Sequence, residues 1–392
     1  MIDIQVTRCL DELLGNTEEW DSLSGGVPFR QSAWLKSWWE CFGNGNAANV
    51  VIARESNGEL KGILPLYRSG DSGENRTLTM IGGGDACSDY VSILVAPQNA
   101  SEVATAMGSY LAQTAADPIH GWDLIDIDGV VEGDEPMAAF ATGLREGGSQ
   151  LHTQSRMNTW YVPRAESWPE QLKRYGKTQR RQMRRAADKI DADGSLEKLV
   201  ARTEAEVEEL LQAVIDMHQT RWEAEGEAGS YADQRFRDFI MNAAKTFARQ
   251  DQLYLTCLRH EGRIVGGELN FLGKNRILYS YTSGYALDAS ELGPGRILRV
   301  DSFLQMYREN LEGIDYLRGD ETYKQRMSSV SHPVMRLRAV APALLPKLKH
   351  AAWCTGFEFK QWMRKKAGRT PIHVLDITST GLPASTSESQ CR

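Results

Sequence analysis

A carboxylate placed among glycines on an apolar strand is the first point where residue type and spacing suggest chemistry. Glu268 lies within Ile264 to Leu272, and strand alternation puts it on the same face as Gly266 and Asn270. Such a face lets a ligand approach the backbone and offers it a base; a solvent-facing glutamate is the competing reading. Downstream, Gly293-Pro294-Gly295-Arg296 opens the helix-periodic run Ile297, Leu298, Val300, Phe303, Leu304. Glycines at a helix start let main-chain N–H groups and the helix dipole face an anion, commonly a pyrophosphate. Pro294 supplies no donor, and a plain strand-to-helix turn has the same spelling. The segment Asp315 to Lys324 then supplies a second carboxylate, Asp320, a phenol, Tyr323, and an ammonium, Lys324. Either carboxylate can serve as a general base, the phenol can protonate a leaving group, and the ammonium can neutralise developing charge or hold a phosphate. Surface placement competes for the last two.

Two further groups have binding potential. Lys173 to Arg185 holds Lys173, Arg174, Lys177, Arg180, Arg181, Arg184 and Arg185 without an acid. Several of these share one helix face at i, i+3 and i+4 spacing, where they read as a solvated face, as a clamp for phosphate oxygens, or as a non-specific nucleic-acid contact. His218 falls on the apolar stripe of its helix, as a core histidine or an acceptor contact. No G-x-S-x-G and no Cys/His pairing announces a covalent nucleophile.

Strands and helices must hold these groups in place, and the sequence writes them twice. Val50 to Ala53, a turn at Gly58, Ile63 to Tyr67 and Thr77 to Ile81 read as strands. Leu253 to Leu258, Ile264 to Leu272 and Ile277 to Ser283 repeat the pattern, with turns at Gly262 and Gly273. A helix follows each set, Glu102 to Ala115 and Arg296 to Asn310, and then one more strand, Trp122 to Ile127 and Ile314 to Leu317. A duplicated α/β unit is the working reading, and chance similarity of two β-meanders the competing one. Between the copies, Thr203 with Glu206 spells a capping box before Val207, Leu210, Leu211, Val214 and Ile215, and Phe236, Phe239, Ile240, Ala243 and Phe247 mark a second amphipathic helix.

The chain has 392 residues, 41% hydrophobic and 25% charged, enough for two or three domains on the usual ~150-residue scale. Its 45 Lys and Arg stand against 52 Asp and Glu, a net charge of −7 that argues against a nucleic-acid coat. Cys9, Cys41, Cys87, Cys257, Cys354 and Cys391 are scattered without C-x-x-C or metal spacing, so neither a disulfide framework nor a metal site is expected. Met1 to Leu14 lacks the basic and apolar regions of a signal peptide, and no stretch approaches the ~18 apolar residues of a membrane span. The expected location is the cytoplasm. Leu345 to Lys366 reads as a basic helix carrying Trp353, Phe357, Phe359 and Trp362, which either packs on the second domain or makes peripheral contact with an anionic membrane. From Gly368 onward the composition is that of a disordered tail.

In order and spacing the chain resembles the GNAT superfamily, and within it the CelD-like acetyltransferase branch associated with exopolysaccharide and cellulose production. That branch is similar to the Fem-type aminoacyltransferases in having two GNAT-like domains. The resemblance is carried by Trp20-Asp21-Ser22-Leu23-Ser24, Phe29 to Trp34 with Trp38, Ser88-Asp89-Tyr90, the basic run Lys177 to Arg185, His218-x-x-Arg221-Trp222 and Gly319 to Lys324, over residues 15–335. Ser290 stands where the superfamily usually has Gln or Arg, and the first copy has no Gly-x-Gly before its helix.

The resemblance implies two tandem GNAT-like α/β domains, each a mixed, mostly antiparallel sheet flanked by helices. Residues 1–165 would be a degenerate copy shaping the acceptor cleft, 166–345 the acyltransferase domain, 346–367 a basic helical extension and 368–392 a disordered tail. It implies acyl-coenzyme A as cosubstrate, with no permanently bound cofactor. Gly293, Gly295 and Arg296 would hold the donor, Glu268, Asp320, Tyr323 and Lys324 would serve catalysis, and Asp89, Tyr90, Lys177, Arg181, His218 and Arg221 would bind substrate. The acceptor would be an amine or hydroxyl on a sugar or cell-envelope precursor. A Fem-like transferase using aminoacyl-tRNA, the one nucleic acid kept open as a substrate, and a non-catalytic component of a polysaccharide-synthesis complex are the alternatives.

Overall fold

The computed structural model describes residues 2–69, 76–86, 88–192, 196–366, 372 and 374–379. Its contacts divide the chain into two compact units, one of residues 26–42 and 158–332, the other of 1–25, 43–157 and 333–392.

In the first of these, helices α1 (Lys177–Ala192), α2 (Glu204–Ala224) and α3 (Gln234–Arg249) precede an antiparallel meander of β1 (Leu253–His260), β2 (Arg263–Leu272) and β3 (Ile277–Tyr285). Helix α4 (Pro294–Arg308) then crosses over to β4 (Gly313–Arg318), which lies parallel to β3, and the short α5 (Thr322–Gln325) follows. Strand Leu196–Val200 extends the sheet beyond β1, and residues 159–163 pair with β4 on its other side. The expected capping box forms: the Thr203 hydroxyl accepts from the Glu206 N–H at 3.3 Å, and the Glu206 carboxylate accepts from the Thr203 N–H at 2.9 Å.

Alternation along the strands decides which helix each face meets. A Cβ on Gly266 would lie 2.8 Å from Pro294 Cβ of α4, whereas one on Gly284 would lie 2.4 Å from the Val214 carbonyl of α2. Helix α4 therefore covers one side of the sheet and α2 the other. On the α4 side, Leu298, Phe303, Met183 and Leu278 join one apolar cluster, each fully buried aliphatic or aromatic side chain worth about 2 kcal/mol. On the α2 side, Phe29, Trp34, Phe239, Phe271 and Tyr281 pack edge to face, with Trp34 and Phe239 centroids 4.7 Å apart. The β3–β4 ladder covers only Ile277–Tyr279 with Gly313–Asp315. Beyond it β3 runs on to Tyr285 while β4 shifts register against residues 159–161, so the two strands part.

The other unit repeats the plan. Strands Ile2–Thr7, Val50–Glu55 and Leu60–Leu64 are antiparallel, and Thr77–Met80 and Leu124–Val131 are parallel across the helix Ala100–Gln113. Pro97-Gln98-Asn99 precedes that helix. Residues 334–340 pair with Leu124–Val131, and helix α6 (Leu344–Lys366) follows. This pairing delivers α6 to the unit that begins the chain, which corrects the expectation that it packs on the second domain. The Trp353 ring lies 5.0 Å from His152, with the Arg338 guanidinium 4.3 Å above it. The expected tail is also corrected in part. Val374 and Leu375 pair with Gln154 and Thr153, and Ile377 is buried. Residues 367–371, 373 and 380–392 lie outside the described residues.

Candidate active site

Glu268 points toward α4 from the middle of β2. It is 6% exposed, and its carboxylate accepts from Ser302 Oγ at 2.7 Å and Ser280 Oγ at 3.0 Å, with Asn270 Nδ2 at 3.5 Å. The solvent-facing reading is excluded. A charged acceptor in such bonds is worth roughly 1.5–3 kcal/mol each, so Glu268 also ties β2, β3 and α4 together. Nearby on α4, buried Asp301 accepts from Tyr254 Oη at 2.6 Å and Lys198 Nζ at 2.7 Å. Burial and the adjacent Asp301 carboxylate hold the Tyr254 phenol protonated.

Where β3 and β4 part, Tyr316 and Tyr323 meet edge to face at 6.0 Å, and the Arg299 guanidinium sits 4.2 Å over the Tyr323 ring. Burial pushes both phenols well above the ordinary tyrosine range, against the lowering effect of Arg299. Tyr323 remains 37% exposed and so stays reachable. The Glu268 charge contributes to raising both phenols. Tyr316 Oη is buried without a hydrogen-bond partner among the described residues.

Lys324 is 3% exposed, and its ammonium donates to the Leu317 carbonyl at 3.2 Å and the Arg318 carbonyl at 2.8 Å, with Glu321 at 3.0 Å. Those contacts clamp the end of β4, where Leu317 adopts φ 58° in the left-handed region. Its three N–H donors are thereby engaged, so the structure makes it a positioning group. Asp320 is exposed and accepts from the Asn158 backbone N–H at 3.3 Å and Nδ2 at 2.9 Å.

The start of α4 is half-exposed at Gly293 and Gly295. Gly293 turns the chain at φ 68°, and Pro294 takes the first helical turn, where no N–H is needed. A Cβ on Gly295 would reach the Tyr285 ring at 3.5 Å. Tyr285 Oη in turn accepts from Arg221 Nη1 at 3.1 Å, which places Arg221 beside the helix start. His218 accepts from Trp222 Nε1 at 3.0 Å, and burial, aided by Arg221, pushes its pKa down to about 4. It is a neutral imidazole holding Trp222 in place.

Between α1, α4 and α5 runs a cleft of about 310 Å³ lined by Thr178, Gln179, Gln182, Met183, Arg296, Arg299, Val300, Tyr323, Arg326 and Met327. Three guanidiniums and no carboxylate line it, which suits an anion. Two larger surface depressions, of about 550 Å³ at Arg164–Arg174 and about 400 Å³ at His260–Leu292, mix acids with bases and lack the tyrosines. Arg296 and Tyr323 are thus brought together, whereas Lys177 and Arg181 are exposed and outside the cleft lining. Asp89, buried, and Tyr90, at φ 58°, belong to the other unit. Sequence reading missed Arg299, Tyr285 and Tyr316. The one signal for Arg299 was its place three residues after Arg296, one turn along the same helix face.

Residues 177–325 match the model of the acetyltransferase (GNAT) domain. The fold is similar to that of FemX, with TM-score 0.62 and 11% identity, over 85% of this chain and 98% of that one. It is also similar to a conserved protein of unknown function from Bacteroides thetaiotaomicron VPI-5482, with TM-score 0.54 and 13% identity, over 86% of this chain and all of the other. No curated protein matches the sequence at a significant level.

Proposed function

We propose, from the premise that residues 177–325 form a GNAT-type acyltransferase domain, that the cleft beside α4 takes an acyl-coenzyme A donor. The acyl group passes to an amine or hydroxyl of a sugar or cell-envelope precursor, in the cytoplasm and within the CelD-like branch. One observation carries the reading: where β3 parts from β4, Tyr316 meets Tyr323, and Tyr323 lines a cleft with Arg296 and Arg299 of the glycine-started helix α4. The guanidiniums neutralise phosphate charge, and half-exposed Gly293 and Gly295 keep the helix start open to an anion.

In the reaction the acceptor lone pair attacks the thioester carbonyl, and the C–S bond breaks as the tetrahedral intermediate collapses. Tyr323 is the proton donor to the leaving thiolate: its raised pKa keeps it protonated at neutral pH, and its exposure lets it reach a ligand. Glu268 is preferred to Asp320 as the base receiving the acceptor's proton, since it is held within the sheet against α4 whereas Asp320 faces solvent beside Asn158. Arg221, beside the start of α4, is assigned to the acceptor.

A second reading, transfer from aminoacyl-tRNA, is favoured by one feature. Helix α1 leaves Lys177, Arg181, Arg184 and Arg185 exposed outside the cleft, a spread of cations longer than a small donor uses. Thermal stabilisation separates the readings, because a ligand of the native state raises its melting temperature. Acetyl-coenzyme A is expected to stabilise the wild type and to lose that effect in Arg299→Ala. Stabilisation by tRNA with none by coenzyme A or its esters would transfer the assignment to the second reading.

A further inference from the structure

Helix α6 has two faces, and among the described residues only one is packed. Its inner face carries Trp353 and Phe357, which pack on His152 at 5.0 and 5.1 Å. Its outer face carries Leu344, Leu345, Leu348, Phe359, Trp362 and Met363, between 49% and 77% exposed. From Leu348 the outward stripe continues through Ala352, Thr355, Phe359 and Trp362, steps of four and three that keep to one side of a helix. Around it lie Lys347, Lys349, Lys360, Arg364, Lys365 and Lys366, against the single acid Glu358. This is a cationic element in a chain of net charge −7. At 23 residues the helix is about 34 Å long. No helix among the described residues is long and apolar enough to cross a membrane.

We infer that α6 docks the protein on the surface of an anionic phospholipid bilayer, lying in the interface with its outer apolar stripe inserted and its lysines at the phosphates. An exposed apolar stripe flanked by lysines, with an aromatic residue near one end, is the arrangement that binds an interface without spanning it. Charge separates this occupant from the others. A second copy would bring two cationic rims together. Residues 380–392 hold only Leu382, Pro383, Ala384 and Cys391 as apolar side chains, too few to cover the stripe. The inference is independent of the donor assignment above.

Co-sedimentation of the full chain with vesicles tests it. Binding is expected to phosphatidylcholine–phosphatidylglycerol vesicles and not to pure phosphatidylcholine, with a blue shift of tryptophan emission that Trp362→Phe removes and weakening in high salt. Leu348→Glu with Phe359→Glu should lower binding roughly tenfold or more, as should the separate variant Lys347→Gln, Lys349→Gln, Lys360→Gln, Lys365→Gln. Apart from half-buried Lys347, both sets alter exposed positions, and unchanged melting temperatures verify the folds. Equal pelleting of wild type and both variants, or pelleting with neither vesicle, overturns the inference. So does a doubled solution mass that the Leu348→Glu, Phe359→Glu variant abolishes, in the absence of vesicle binding.

Discussion

At the level of single residues, the site separates groups that can exchange protons from groups consumed in holding the fold. Tyr323 is exposed enough to meet a ligand, and its raised pKa keeps the phenol protonated through pH 8. Tyr323→Phe should reduce kcat for thiol release about 10²-fold while KM changes little, because the lost proton transfer belongs to the transition state. Glu268→Gln should likewise lower turnover far more than donor affinity; an unchanged kcat would remove Glu268 from the chemistry. Lys324 has the opposite signature. With its ammonium bonded to the Leu317 and Arg318 carbonyls, Lys324→Ala should cost roughly 3 kcal/mol in chemical denaturation, by freeing buried carbonyls and Glu321. His218 supplies a pH test. Its folded pKa of about 4 lies below the ordinary value of 6.5, so the unfolded state binds the proton first. Its contribution is complete above pH 6.5 and is lost as the pH falls from 6.5 toward 4. The loss is at most about 3 kcal/mol before solvent screening reduces it. Denaturation midpoints measured across that window should flatten in His218→Gln.

Among the elements, the strands of the site are placed by what their faces can tolerate. Gly266 lets α4 sit against β2, and Gly284 lets α2 sit against β3, since neither position has room for a methyl group. Gly284→Ala would drive a Cβ into the Val214 carbonyl and should destabilise the protein by about 2 kcal/mol, seen as a melting-temperature drop of a few degrees. The elements themselves were legible. Apolar periodicity located α2, α3, α4 and the meander, and the Thr203–Glu206 spacing marked a real helix start. The splayed pair was not legible, because β3 and β4 read as ordinary strands and the ladder's end depends on the register shift against residues 159–161. Lys324 reads from the sequence as a free cation for a similar reason: only the left-handed turn at Leu317 brings the two carbonyls to its ammonium.

For the molecule as a whole, charge placement matters more than net charge. An acidic chain carries two cationic surfaces, on α1 and on α6, and each reading of function predicts which of them a ligand needs. Arg181→Glu with Arg184→Glu should abolish any stabilisation by tRNA and leave that by acetyl-coenzyme A intact, since both side chains stand outside the cleft lining. Loss of both effects together would place α1 in the donor site.

The sequence by itself determined the inventory: a repeated hairpin–helix–strand plan, the glycine-started helix after the third strand of the meander, and a cation run in an acidic chain. Periodicity and turn chemistry are local, so they survive without knowledge of the fold. Tertiary structure alone decided which charged groups are buried and partnered, that Arg299 and Tyr323 share a cleft with Arg296, and that α6 returns to the unit that begins the chain. Those outcomes depend on register, on strand pairing between residues far apart, and on how closely a helix can approach a sheet.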